Sequence, residues 1–546
     1  MAALTCVGAA YAGAEAAGAP PATAPVVAPA TPAPAAPVPV ATAPVAPSLY
    51  PCASAPPEPV ALGMAEWNGW GRDLVNSRYQ PEPALRAKDV SKLVLHWAYA
   101  LDAPAVHGQP IVVGGRVFLG SSSGRIYSLD ARSGCSYWTF TAGASVDSAM
   151  IVGELGQPKL VKNKWHPWRR WHKRLRRWRR GRGINAHIAV IEPPSGLYFG
   201  DAAGEVYALD AQTGALLWKV AVGAGLHARV SGSPALSGTS LFVPLTSADG
   251  AQGTVVAMDI ATGAVRWRTD ITRDLIRSAG DTGITAAPTV DTRRGVLYVA
   301  AGEAGAIVAL DIADGKPRWV GARPQKRFEV DRRDASPATA GGGHRSSPTP
   351  PILQTLPNDK QILLSATPSG IIYALDPDRD GALLWRTDVE PGADSITWTH
   401  AADHRNVYVA FERSDPKPGA AAGGLAALGM ANGSIRWLKP FAKPACAPAG
   451  PACPRLPVRA VTVIPGIVFC GSSAGQLRAY STINGMRMWN YDTAGIVQTV
   501  NAEQVRGLSL GVSGPAIVNG MVYVNSAFQD GGGSSGVLLA FSLAGK

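Results

Sequence analysis

The sequence predicts an all-β chain folded as an eight-bladed β-propeller. Three observations predict it. One template recurs seven times between Gly124 and Trp489: a Gly, alternating apolar residues, often an Asp, a second Gly and a Trp. Each copy follows further short apolar stretches, so one repeat of about 50 residues holds four strands. A lone strand around Trp97 supplies what the last, truncated repeat lacks.

Taken in order, residues 1–15 read as the end of a secretory signal: small residues from Ala10 to Ala16, and no charged n-region. Ala and Pro dominate 16–64, a tract too poor in large apolar side chains to offset its own ordering, and it reads as a disordered linker. The propeller is expected over 65–546. Its copies run Gly124–Trp138, Gly204–Trp218, Gly253–Trp267, Gly305–Trp319, Gly370–Trp385, Gly423–Trp437 and Gly475–Trp489, and an eighth starts at Gly536. Alternation makes the strand. The Asp-x-x-x-Gly stretch makes a tight turn, in which Asp caps backbone N–H groups and Gly takes a positive φ. Leu93–Tyr99 is expected to serve as the outer strand of the last blade, so that no sheet edge stays open. The repeat tryptophans then stand at 97, 138, 218, 267, 319, 385, 437 and 489.

The formal net charge is +12, and Lys159–Arg182 holds 12 Lys/Arg with no Asp or Glu. The rest of the chain is therefore neutral, and the basicity is one local device. Within the insertion 159–183, Pro167 suits a helix start and Gly181 a helix end. Trp168, Trp171, Leu175 and Trp178 form an apolar stripe, with Arg169, Arg170, Arg174 and Arg177 beside it. Cationic flanks with Trp anchors fit an anionic envelope surface. The alternative is a Trp stripe packed on the propeller rim beneath a solvated basic face. Nucleic acid is a weaker fit for an exported chain.

Six cysteines are present and none forms a CxxC, so no c-type haem attachment or zinc ribbon is available and no haem is expected. Cys446 and Cys453, with six residues between them in a Pro/Ala/Gly loop, can close as a disulfide in an oxidising compartment.

The repeat, together with Trp70-Gly-Arg-Asp-Leu-Val-Asn-Ser-Arg-Tyr-Gln-Pro81, resembles the pyrroloquinoline-quinone (PQQ) dehydrogenases. Gly134–Phe140, His227–Pro234, Gln498–Asn501 and Val522–Ser526 resemble the polyvinyl-alcohol dehydrogenase branch in particular. The resemblance implies a quinoprotein alcohol dehydrogenase type of propeller in the periplasm or secreted. It implies a central funnel for PQQ and Ca²⁺, and oxidation of a small or polymeric alcohol. Two family positions persist, Arg229 and Asn501, which the resemblance assigns to cofactor binding. Trp398 is expected as an aromatic floor, and Glu303 as a cation ligand in place of a family Asn. Each has a plainer alternative: an ion pair between blades for Arg229, a turn backbone satisfied by Asn501, core packing for Trp398, a cap for Glu303. His344 stands where the family's basic Asp stretch would be, and the catalytic base is left unassigned. The family's adjacent cysteines are replaced by Thr246–Gln252, its Lys by Thr367-Pro368 and an Arg by Asp147. The second reading is therefore a catalytically silent propeller that binds envelope or protein partners, as in the outer-membrane assembly lipoprotein that shares this repeat.

Overall fold

A computed structural model of the chain describes residues 50–54, 63, 65–103, 107–155, 159–162, 188–191, 194–223, 228–271, 275, 283–301, 306–321, 349–367, 370–389, 400–412, 423–441, 460–472, 475–493, 495–501, 504–506, 510, 513–526 and 536–544. These residues form eight antiparallel sheets of four or five strands, arranged as the blades of a propeller. Blades 1 to 7 span 111–141, 151–221, 229–270, 289–321, 352–388, 400–441 and 462–492. Blade 8 takes its first three strands from Ala516–Val518, Met521–Ser526 and Val537–Leu543, and its outer strand from Leu93–Ala100.

The repeat template explains the blade. In all eight sheets the Trp of the outer strand lies opposite a small residue of the third strand: Ser128, Ala208, Ala257, Ala309, Ala374, Ala427, Ala479 and, facing Trp97, Ala540. The register shifts beside each of these pairs, as a β-bulge does. The small partner leaves the indole free to lean onto the next blade. There its Nε1 donates to a backbone carbonyl: Trp97 to Ala131 at 3.1 Å, Trp138 to Ala211 at 3.2 Å, Trp218 to Ile260 at 2.9 Å and Trp437 to Thr482 at 3.0 Å. The six-membered ring covers the glycine of that blade's turn, so that a Cβ on Gly263 would fall 2.9 Å from Trp218. Gly263 also has φ +72°, so the position is restricted to glycine twice over.

Ring closure uses the same contacts. Trp97 covers Gly134 of blade 1, and Trp489 of blade 7 donates to Leu93 of the closing strand at 3.1 Å. The turn aspartates cap as expected; Asp130 Oδ1 accepts the Arg132 and Ser133 N–H groups. Apolar side chains between adjacent sheets form the core, among them Phe118, Leu197, Val256, Leu310, Leu364, Phe469 and Phe541.

Two features were not expected. Cys52 is disulfide-bonded to Cys135 across 83 residues of sequence, and Pro51 adds a parallel bridge to Ser136 at the outer edge of blade 1. Residues 50–54 of the stretch 16–64 are therefore tethered to blade 1. Cys446 and Cys453 lie outside the described residues. The second feature is a strap, residues 65–83, that crosses the free edges of the first strands in blade order. Trp67 pairs with Val112 of blade 1, and the Asn68 amide brackets the Val152 backbone of blade 2. Leu74 accepts from Val290 of blade 4, Val75 from Leu353 of blade 5 and Ser77 from Ala402 of blade 6. Arg78 and Gln80 pair with Val463 of blade 7, and Pro83 accepts from Gly520 of blade 8. Seven blades are thus joined to one segment.

Replacing Gly263 with Ala is expected to lower the melting temperature, through a loss of about 1–3 kcal/mol from strained backbone and overpacking against Trp218. Gly238 has φ +56° and open space around it, and its Ala variant should lose less. Thermal unfolding of the two variants, side by side, makes the comparison.

Candidate functional site

Antiparallel four-stranded blades sort their connections onto two faces. The turns between first and second strands, and between third and fourth, lie on one face. The connections between second and third strands, and from blade to blade, lie on the other. The strap reaches the first face, where Glu66 meets the Gly114 backbone and Pro83 meets Gly520, both in first-to-second-strand turns. The opposite face gathers the second-to-third-strand and blade-to-blade connections. The segments that carry Asp147, Arg229, Thr246–Gln252, Glu303, His344, Thr367, Trp398 and Asn501 are all connections of that face, or adjoin them.

Arg229 opens the first strand of blade 3, opposite Thr246, with its side chain exposed. Among the described residues no carboxylate pairs with it. Thr246 is fixed beneath by Ser231 at 2.7 Å and by the Ile284 backbone at 3.0 Å. The loop that follows, in place of the family's cysteines, closes on itself: Asp249 accepts from the Ser247 hydroxyl and the Ala251 N–H, and Ser247 Oγ accepts the Gln252 N–H. Asn501 is engaged at both ends of its amide by one residue of the closing strand. Ala100 N–H donates to its Oδ1 at 2.9 Å, and its Nδ2 donates to Ala100 O at 3.0 Å. Asp147 is exposed and accepts from Ser145 at 2.9 Å. Glu303, His344, Trp398 and the basic residues Trp168, Arg169, Arg170, Trp171, Arg174, Arg177 and Trp178 lie outside the described residues.

Arg78, which sequence reasoning passed over as one residue of a motif, lies buried between the strap and the inner strands of blades 1 and 7. Its guanidinium is fully buried and donates to Val461 O at 2.7 Å, Trp70 O at 2.7 Å, Gln109 Oε1 at 3.0 Å and Thr462 Oγ1 at 3.1 Å. Trp67 and Trp70 stack near it, with centroids 5.3 and 5.2 Å from Cζ. Burial pulls its pKa down to about 9, so it still carries its charge at neutral pH. No carboxylate pairs with it among the described residues. The exposed Arg229, with no carboxylate partner among the described residues, fits a carboxylate of PQQ, a flat polycarboxylate. Among the described residues no group of three or more His, Cys, Asp or Glu could hold a metal ion, and Glu303 lies outside them.

Comparison with known proteins gives the same lineage. The family described as "Outer membrane protein assembly factor BamB" matches residues 202–350 and 368–545. The family described as "Glucose/ethanol/alcohol dehydrogenase, beta-propeller domain" matches 67–153, which takes in the strap and blade 1. A polyvinylalcohol dehydrogenase from Pseudomonas sp is 31% identical over 89% of this chain and 79% of its own. A second, from Sphingopyxis sp. (strain 113P3), is 29% identical over 91% and 79%. The fold is that of the quinohemoprotein alcohol dehydrogenase from Comamonas testosteroni, with TM-score 0.61, 16% identity, and coverage of 88% of this chain and 81% of that one. Fold and repeat thus define a propeller of the quinoprotein alcohol dehydrogenase class. The chain belongs to the PQQ-dependent dehydrogenase family, and its similarity to the polyvinylalcohol dehydrogenases runs over about nine-tenths of its length.

Proposed function

We propose that the face opposite the strap's turns seats PQQ and that the chain oxidises an alcohol there. The observation that carries this reading is the exposed Arg229, opposite Thr246 at the start of blade 3 and with no carboxylate partner among the described residues. The similarity to polyvinylalcohol dehydrogenases across the whole ring supports it. When bound, PQQ supplies a quinone that takes up the two electrons lost by a carbinol. In this reading Arg229 pairs with a carboxylate of the cofactor and Trp398 lies against its flat face. Glu303 helps to hold a cation. A polymeric alcohol fits an open rim better than an enclosed pocket. One observation favours the second reading, a silent scaffold: Asn501, which the family resemblance assigns to the cofactor, is committed at both ends to Ala100.

Reconstitution with PQQ and Ca²⁺, followed by dye-coupled assay on primary, secondary and polymeric alcohols, separates the two readings. Cofactor-dependent dye reduction is expected, with Arg229→Ala weakening PQQ binding at least tenfold. Absence of both PQQ binding and dye reduction would leave the scaffold.

We also propose a periplasmic or secreted location and contact with an anionic surface. The Cys52–Cys135 disulfide supports an oxidising compartment. Among the described residues no helix is long and apolar enough to cross a membrane. The basic insertion is carried on a two-stranded stem, Lys159–Lys162 with Ile188–Ile191, between the first and second strands of blade 2. That connection leaves from the face that the strap reaches. Attachment through Trp168, Trp171, Trp178 and their arginines would therefore point the opposite face away from the surface. Co-sedimentation with anionic vesicles should be lost at low salt when residues 163–187 are deleted; equal binding would remove the idea.

A further inference from the structure

The strap makes backbone or side-chain bonds to the first strands of seven blades, and among the described residues it makes none to blade 3. Blade 3 is also the one whose first strand is split, into Arg229–Val230 and Ala235–Ser237. Where the strap passes over it, a cleft of about 550 Å³ remains, walled by Trp70, Leu74, Ile151, Leu236 and Pro288. That volume lies within the range of small-molecule sites. The cleft runs along the inner strands, from Ile151 and Pro288 at the starts of first strands to the turn at Gly238.

Its polar groups are few and incompletely satisfied. One carboxylate oxygen of Glu66 is buried without a hydrogen-bond partner, and so is the indole N–H of Trp70. Asn76 is 5% exposed. Its Nδ2 is spent on Pro288 O at 3.0 Å and Thr289 Oγ1 at 2.9 Å, while nothing among the described residues donates to its Oδ1. Asn76 is held there in the left-handed region, at φ +56°. Buried polar atoms left in this state are costly, and a ligand or ordered water would relieve them. At the edge, Arg72 and Asp73 pair at 3.0 Å. Burial raises the Glu66 pKa, which disfavours a net charge in the cleft.

We propose that this cleft is a second ligand site, for a small neutral aliphatic molecule bearing hydroxyl groups. A hydroxyl can donate to Glu66 or to Asn76 Oδ1 and accept from Trp70 Nε1, while the carbon body meets the apolar walls. The proposal does not rest on PQQ binding or on alcohol oxidation.

The test uses the full chain without added PQQ, with 2,4-pentanediol as the probe and 2,4-dimethoxypentane as the donor-free control, followed by saturation-transfer NMR titration. The diol is expected to bind at millimolar concentration, at least tenfold more tightly than the diether. Glu66→Leu should weaken it at least tenfold. Ser237→Trp, a half-buried position at the cleft, should abolish it with the melting temperature unchanged. No binding of the diol would overturn the proposal. So would equal binding of diol and diether, which marks a merely apolar void. So would diol binding that survives Ser237→Trp, which would place the diol in the channel instead.

Discussion

The fold depends on one contact repeated around a ring: an indole laid over the turn glycine of the neighbouring blade. Each part of the repeat serves it. The Ser or Ala opposite the Trp gives the ring room to lean, the bulge aims it, and its N–H is met by a carbonyl of the next blade. A buried indole contributes on the order of several kcal/mol, so a ring of them outweighs the polar turns that carry them. Because the contact runs from each blade to the next, the ring holds only if it closes. The closing strand therefore has to bring its own Trp, and Trp97 meets Gly134 as its counterparts meet theirs.

The strap is a second constraint laid across the first. Seven inner strands present free edges, and one segment satisfies them in turn. Its path is demanding. Arg72, Asn76 and Arg78 all take positive φ, and Arg78 buries a guanidinium with no carboxylate partner among the described residues. Four hydrogen bonds and two aromatic faces offset that desolvation. The result is a buried cation within the strap, held by hydrogen bonds and aromatic faces and by no carboxylate among the described residues.

Local signals made the ring legible in the sequence. The Gly–Asp–Gly–Trp spacing records turn and strand lengths, and a lone Trp strand ahead of a repeat short of one implies a shared blade. Contacts between distant residues left weaker traces. Nothing near Cys52 or Cys135 announces their pairing across 83 residues, whereas the Cys446–Cys453 spacing looked favourable because it was short. The strap was visible only as a motif around Trp70–Pro81, since a segment that bonds to successive inner strands has no period of its own. At the rim, Asn501 was read toward a cofactor from its family position. Its two bonds to Ala100, 401 residues away, follow from ring closure and from no local pattern.

The most direct test of the shared last blade is hydrogen–deuterium exchange of the peptides covering Leu93–Ala100 and Val537–Leu543. The paired strands should exchange slowly and together, and Trp97→Ala should accelerate both along with the Gly134 turn of blade 1. Rapid exchange of 93–100 in the unaltered protein, with 537–543 still protected, would contradict the account.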